Sequence, residues 1–279
     1  MIGRTLIEVA GPLAAQTQFS FVNVALALLM VAVAVALSFW QRLSLEKDML
    51  LACARAFVQL LAIGYVIQLV FRSRSFWFVL LLLTAMILFA TITSGRRLRP
   101  LPGAYAIAAS AITLASALTL VLLVALDVVP STARYVVPLG GMIVGNAMNV
   151  VSVVGTRLRE ELKSERRTIE SALALAASPS QATRPSLRRA VRVAMIPLID
   201  NTKTIGLVFL PGAMTGMILA GADPLDAVKL QAIVMYMLIG TVAVAAVTAA
   251  YLAQRQLFTR HEQLRRLSSS ERRPRSASR

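Results

Sequence analysis

The sequence predicts an all-α fold: a polytopic transmembrane helical bundle of about seven spans, with its N-terminus outside and its C-terminus cytoplasmic. Three observations predict it. Long apolar runs recur along the chain, apolar residues make up 57% of it against 15% charged, and the basic residues fall in alternate loops. A bilayer core about 30 Å thick needs about 20 mostly apolar residues at the helical rise. Residues 21–40, 49–71, 76–93, 104–126, 136–155 and 230–252 meet that requirement. A seventh run, residues 194–221, is interrupted by Pro197, Asp200, Lys203 and Pro211. All should be helical, because lipid offers backbone groups no hydrogen-bond partner and the runs are too long for barrel strands.

The first run is preceded by a segment containing Glu8, Pro12 and Gln16, which lacks the basic-then-apolar layout of a signal peptide, so no cleavage is expected. Orientation follows from the 29 Lys and Arg residues and the net charge of +16. With the N-terminus outside, 22 of them lie inside: Arg42 and Lys47; Arg96, Arg97 and Arg99; nine between Arg157 and Arg192; and eight from Arg255 onward. Outside lie Arg4, Arg72, Arg74, Arg134 and Lys229, with Arg55 and Lys203 inside spans. The positive-inside rule then requires an odd number of spans. Retention on the cytoplasmic side also accounts for the basic tail without nucleic acid as a partner. Residues 1–252 are expected to form the permease domain and residues 253–279 a basic tail. The tail ends in LSSSERRPRSASR, too polar to order and suited to resting on anionic lipid.

The loops are short except for residues 156–193. Leu158, Leu162, Ile169, Leu173 and Ala176 recur there at helical spacing, so TRLREELKSERRTIESALALAA reads as one amphipathic helix prolonging the fifth span. In SPSQATRPS, Ser178 can cap, Pro179 takes the first helical position and Gln181 completes a capping box. Pro185 disfavours helical geometry at Arg184, so a helix of one to two turns is expected. LRRAVRVAMIP then reads as a second amphipathic helix, with Arg188, Arg189 and Arg192 toward water or headgroups.

Polar residues inside the spans are the candidate functional positions. Gly141, Gly145, Asn149 and Ser152 lie within about 80° of one another on the fifth helix. That face is either a seam of small residues packing against a neighbour or a substrate-lining face that also uses Asn146. The sixth span, residues 194–221, should be kinked or broken at Pro197 and Pro211 and weakened further by its glycines. Its Asp200 and Lys203 stand three apart and can pair, either marking the membrane boundary or serving gating and translocation. In the second span Arg55 and Gln59 share a face; Arg55 either snorkels to the cytoplasmic end or pairs with Asp200. The translocation set is therefore Asn146, Asn149, Ser152, Asp200, Asn201, Lys203, Pro211, Gly212, Gly216, Arg55 and Gln59.

Enzymatic chemistry has nothing to rest on. The single Cys53 precludes an internal disulfide, and with only His261 beside it a Cys/His zinc site is excluded. No phosphate loop, nucleophile elbow or HExxH occurs.

GNAMNVVSV, ALALAASPSQATRPSLRRAVRVAMIP and NTKTIGLVFLPGAMTGMILAGADPLDAVKLQ resemble the FetB-like iron-export ABC permeases of bacteria and their plant aluminium-tolerance relatives. The resemblance is densest between Gly140 and Gln231. It implies a permease in the bacterial plasma (inner) membrane, acting as a homodimer with a separate ABC ATP-binding subunit. On this basis the chain itself holds no cofactor, and ATP and Mg are bound by the partner. It further implies that a cytoplasmic segment docks on that partner, for which residues 170–197 are the candidate through Glu170, Leu173, Leu175, Ser178, Pro179 and Gln181. The segment departs from the importer motif at Ser171 and Ala176 and in its longer run to Pro197. Aspartate at Leu173 and Leu175 is expected to abolish co-purification with the ATPase and leave insertion intact. No Cys/His set selects iron; Asn146, Asn149, Asp200 and Met142 offer oxygen or thioether contacts. Two other classes fit the residues: a secondary transporter with an Asp200/Lys203 proton relay, and a membrane structural protein that moves nothing.

Overall fold

The computed structural model describes residues 21–73, 75–99, 101–259 and 263–264, which fall into two compact units divided after Ser73. The described residues are helical apart from turns and two isolated bridges. The expected disorder of LSSSERRPRSASR, residues 267–279, lies outside them.

The first unit is a helical hairpin of α1 (Phe21–Trp40) and α2 (Glu46–Ser73). Arg42 and Ser44 turn the chain with φ of 53° and 58°. Ser38 Oγ staples the turn, donating to Glu46 Oε1 at 2.8 Å and accepting from the Leu45 amide at 3.3 Å. Glu46 and Asp48 in the first turn of α2 and Arg72 in its last complement the helix dipole. Arg55 and Gln59 lie exposed on α2.

The second unit contains α3 (Phe76–Arg97), α4 (Ala104–Ala125), α5 (Ala133–Ser164), α6 (Arg166–Ala174), α7 (Pro179–Thr204), α8 (Gly212–Leu219) and α9 (Pro224–Leu257). Its core runs along α4, α5 and α9. Ala108, Ala111 and Ala115 of α4 and Ala245, Ala246 and Ala249 of α9 are at most 1% exposed, and such small residues let helix backbones approach closely. Within that apolar seam Thr119 and Thr241 share a hydrogen bond of 2.9 Å.

Among the described residues six helices, α1 to α5 and α9, are long and apolar enough to cross a membrane. The expected seventh span is divided. α7 stops at Thr204, Ile205 bridges to Phe209 around Gly206 at φ 79°, and α8 resumes at Gly212 after Pro211. Pro211 has no N–H to continue the ladder and Gly206 adopts a conformation other residues resist, so the break falls between them.

Two expectations are corrected. The predicted amphipathic helix after the fifth span is two helices, because Glu165 (φ −93°, ψ 13°) ends α5 and starts α6, and Ala176 leaves the helix with φ 66°. Arg189 fixes that corner, reaching Glu161 at 2.6 Å and Glu165 at 3.5 Å. Pro185 ends nothing: α7 runs through it and through Pro197. Thr183, Ser186, Ala190 and Ala194 bury one small-residue face of α7, and that packing outweighs the one backbone bond Pro185 removes.

Candidate functional site

One end of the second unit gathers the basic segments. Gly155 of α5 lies against Leu98, which follows the Arg96 and Arg97 of α3; a Cβ there would come within 2.6 Å of the Leu98 side chain. Gly103, at the start of α4, lies against Gln256 of α9, with φ 67°. Gln254 Nε2 donates to Thr183 Oγ1 at 2.8 Å, tying the end of α9 to the start of α7. At this end α7 begins with the predicted capping box: the Gln181 amide donates to Ser178 Oγ at 3.3 Å, and the Ser178 amide to Gln181 Oε1 at 2.9 Å.

The α6–α7 corner projects from this end. Leu175 is 84% exposed at its tip. Glu170 is exposed and pairs with Arg166 at 2.7 Å. Leu173, expected at the docking surface, instead packs half-buried against the core beside Ile169. An aspartate at Leu173 is therefore expected to disturb packing, whereas one at Leu175 would remain in the open.

The polar positions on α5 separate. Gly145 has nothing within 4 Å of a built Cβ and Gly141 has only Met86 at 3.9 Å. Asn149 is exposed, and Asn146, half-buried, donates to the Met142 carbonyl at 2.9 Å. Within this unit the face is therefore half-buried at Gly141 and Gly145, with Met86 of α3 against Gly141, and open at Asn149. Ser152 is different: buried at 3% exposure, it donates to Ser94 Oγ of α3 at 3.1 Å.

At the end opposite the basic segments, Asp200, Asn201 and Lys203 occupy the last turn of α7 directly before the break. Asp200 and Lys203 pair at 3.2 Å and both are exposed. Pro211 caps α8, and Gly212 and Gly216 stand on it with open space where a Cβ would be. Beside the break lies a cavity of about 280 Å³ lined by Thr202, Gly206, Met214, Gln231 and Met235. Gln231 is 6% exposed and its Oε1 has no hydrogen-bond partner among the described residues. These residues were not singled out from the sequence, although a lone amide at the start of an otherwise apolar run was a usable signal. Among the described residues no group of three or more His, Cys, Asp or Glu side chains is placed to hold a metal ion.

Helices of membrane length that expose many large apolar side chains belong in a bilayer, and the molecule is a polytopic helical membrane protein. The chain belongs to the family described as Uncharacterised protein family UPF0014, whose model matches residues 21–258. It is 48% identical to UPF0014 membrane protein STAR2 of Oryza sativa subsp. japonica over 224 residues, covering 80% of this chain and 79% of that protein. It is 42% identical to Protein ALUMINUM SENSITIVE 3 of Arabidopsis thaliana, covering 82% and 84%. Over 87% of this chain and 93% of that protein, it is 36% identical to Probable iron export permease protein FetB of Escherichia coli strain K12. No solved structure matches the chain.

Proposed function

We propose that the chain is the membrane-spanning permease subunit of an ABC transporter that exports iron or another small solute. ATP and Mg are bound by a separate subunit, and each complex holds two copies of each chain. The similarity to a protein named as a probable iron export permease supports the cargo and its direction. The positive-inside rule supports a cytoplasmic basic end in a bacterial plasma membrane.

The observation that carries this reading is the α6–α7 corner. A leucine 84% exposed stands at the tip of the most basic end, where an exposed apolar side chain on a rigid mount is suited to a protein partner. The capping box and the Arg189 ion pairs hold the corner. From it α7 runs unbroken for 26 residues to the break at residues 205–211, a rod of about 39 Å. A displacement of Leu175 by the ATPase is thereby delivered to Asp200, Asn201 and Lys203 and to the cavity containing Gln231. There the unpartnered amide oxygen and the two methionines offer acceptors to a cationic or hydrogen-bond-donating solute.

The test is Leu175→Asp in a tagged chain co-expressed with its ATP-binding subunit. Recovery of the ATPase should fall to background while the chain still inserts. Unchanged recovery removes the corner as the docking point.

A further inference from the structure

We propose that α7 and α9 form a binding site for one anionic phospholipid of the leaflet facing the basic end. Between the two helices lies a cleft of about 560 Å³ whose lining includes Arg184, Arg188, Arg192, Val191, Val247 and Tyr251. The three arginines recur every fourth residue on α7, so they form a stripe along one side of the helix, about 12 Å long. All three are exposed, and among the described residues none has an acidic partner. Their neighbour Arg189 differs: it turns away and spends its charge on Glu161 and Glu165. The opposite wall is apolar and ends at Tyr251, on whose ring Arg255 stacks at 4.4 Å.

The level of the cleft follows from the Gln254–Thr183 bond, which sets the start of the arginine stripe beside the last turn of α9. From there the stripe climbs beside the apolar part of α9. Unpaired cations against an apolar wall at a bilayer boundary are costly unless an anion meets them. Guanidinium groups bind phosphate oxygens in a bidentate fashion, and basic clefts between spans at this depth suit anionic headgroups. A phosphodiester at the level of Arg184 and Arg188, with its acyl chain along Val191 and Val247, satisfies both the charge and the apolar wall. A soluble phosphate satisfies only the first. The site is independent of the ABC assignment and requires only that the basic end meet the bilayer surface.

The experiment is a thermal-unfolding titration of the full-length chain in a neutral detergent with phosphatidylglycerol, phosphatidylcholine or inorganic phosphate. Phosphatidylglycerol should raise the midpoint saturably and the other two should not. Replacing all three arginines by glutamine should weaken the phosphatidylglycerol response on the order of 100-fold; should that variant not fold, Arg188→Gln alone should weaken it about fivefold. Equal responses to the two lipids, a response to inorganic phosphate alone, or an unaltered titration in a folded variant would each overturn the site. None of these readouts involves the ATPase or transport, so failure here leaves the permease reading standing, and the reverse holds too.

Discussion

At the basic end of the second unit Gly155 presses on Leu98 with no room for a Cβ, whereas at the opposite end Gly206, Gly212 and Gly216 have nothing within 4 Å of where one would stand. The same contrast runs through the polar groups. Ser94, Ser152, Thr183 and Gln254 are buried and hydrogen-bonded near the basic end. Near the break Gln231 is buried with its Oε1 lacking a hydrogen-bond partner among the described residues, and Leu207 and Val208 are 88% and 76% exposed. Glycine therefore plays two parts in one unit: Gly155 lets α5 pack closely on Leu98, and Gly206, at φ 79°, turns the chain at the break after α7. The looseness is confined to the break itself, since Gly140 near the start of α5 is packed closely against Leu83; a joined basic end and an open break, linked by the continuous α7, suit the proposed lever.

The contrast can be broken most sharply at its glycines. Gly155→Leu should lower stability by about 1–3 kcal/mol through overpacking against Leu98, read as a fall in the thermal midpoint of the purified chain. Gly216→Ala should leave the midpoint level or raise it, because alanine favours helix by up to about 1 kcal/mol and meets nothing. Equal losses at both positions would erase the distinction between the ends. Ser178→Ala removes one half of the capping box and should cost about 1 kcal/mol; because it loosens the corner, it should also reduce ATPase recovery. The smallest effect on stability is expected at Asp200→Asn, since an exposed ion pair contributes little. There transport should fall severalfold with the midpoint unchanged. Full transport would return Asp200 and Lys203 to the boundary role.

What the sequence disclosed was local. Apolar runs mark the spans because bilayer thickness sets their length, and Ser178, Pro179 and Gln181 mark a helix start because a capping box closes within four residues. Pro197 and Pro211 both carry the same local signal, yet only Pro211 coincides with a break. Pro185 and Pro197 are overridden by the buried face of α7, which depends on helices far away in sequence. The α5 wheel placed Ser152 with Asn149, but only the approach of Ser94 on α3 decides that one is covered and the other open. Leu173 and Leu175 look equivalent in sequence; the turn at Leu175 points one inward and one out. Gln231 gained its interest only from the cavity around it.

The central claim is that energy enters at the α6–α7 corner from a second polypeptide. It is tested most directly by reconstituting the chain into vesicles with and without its ATP-binding subunit and following iron movement. Flux that requires both the second subunit and hydrolysable ATP is the predicted result. Iron flux from vesicles holding this chain alone, at the same rate and without nucleotide, would contradict it, and a requirement for a proton gradient instead would assign the work to Asp200 and Lys203.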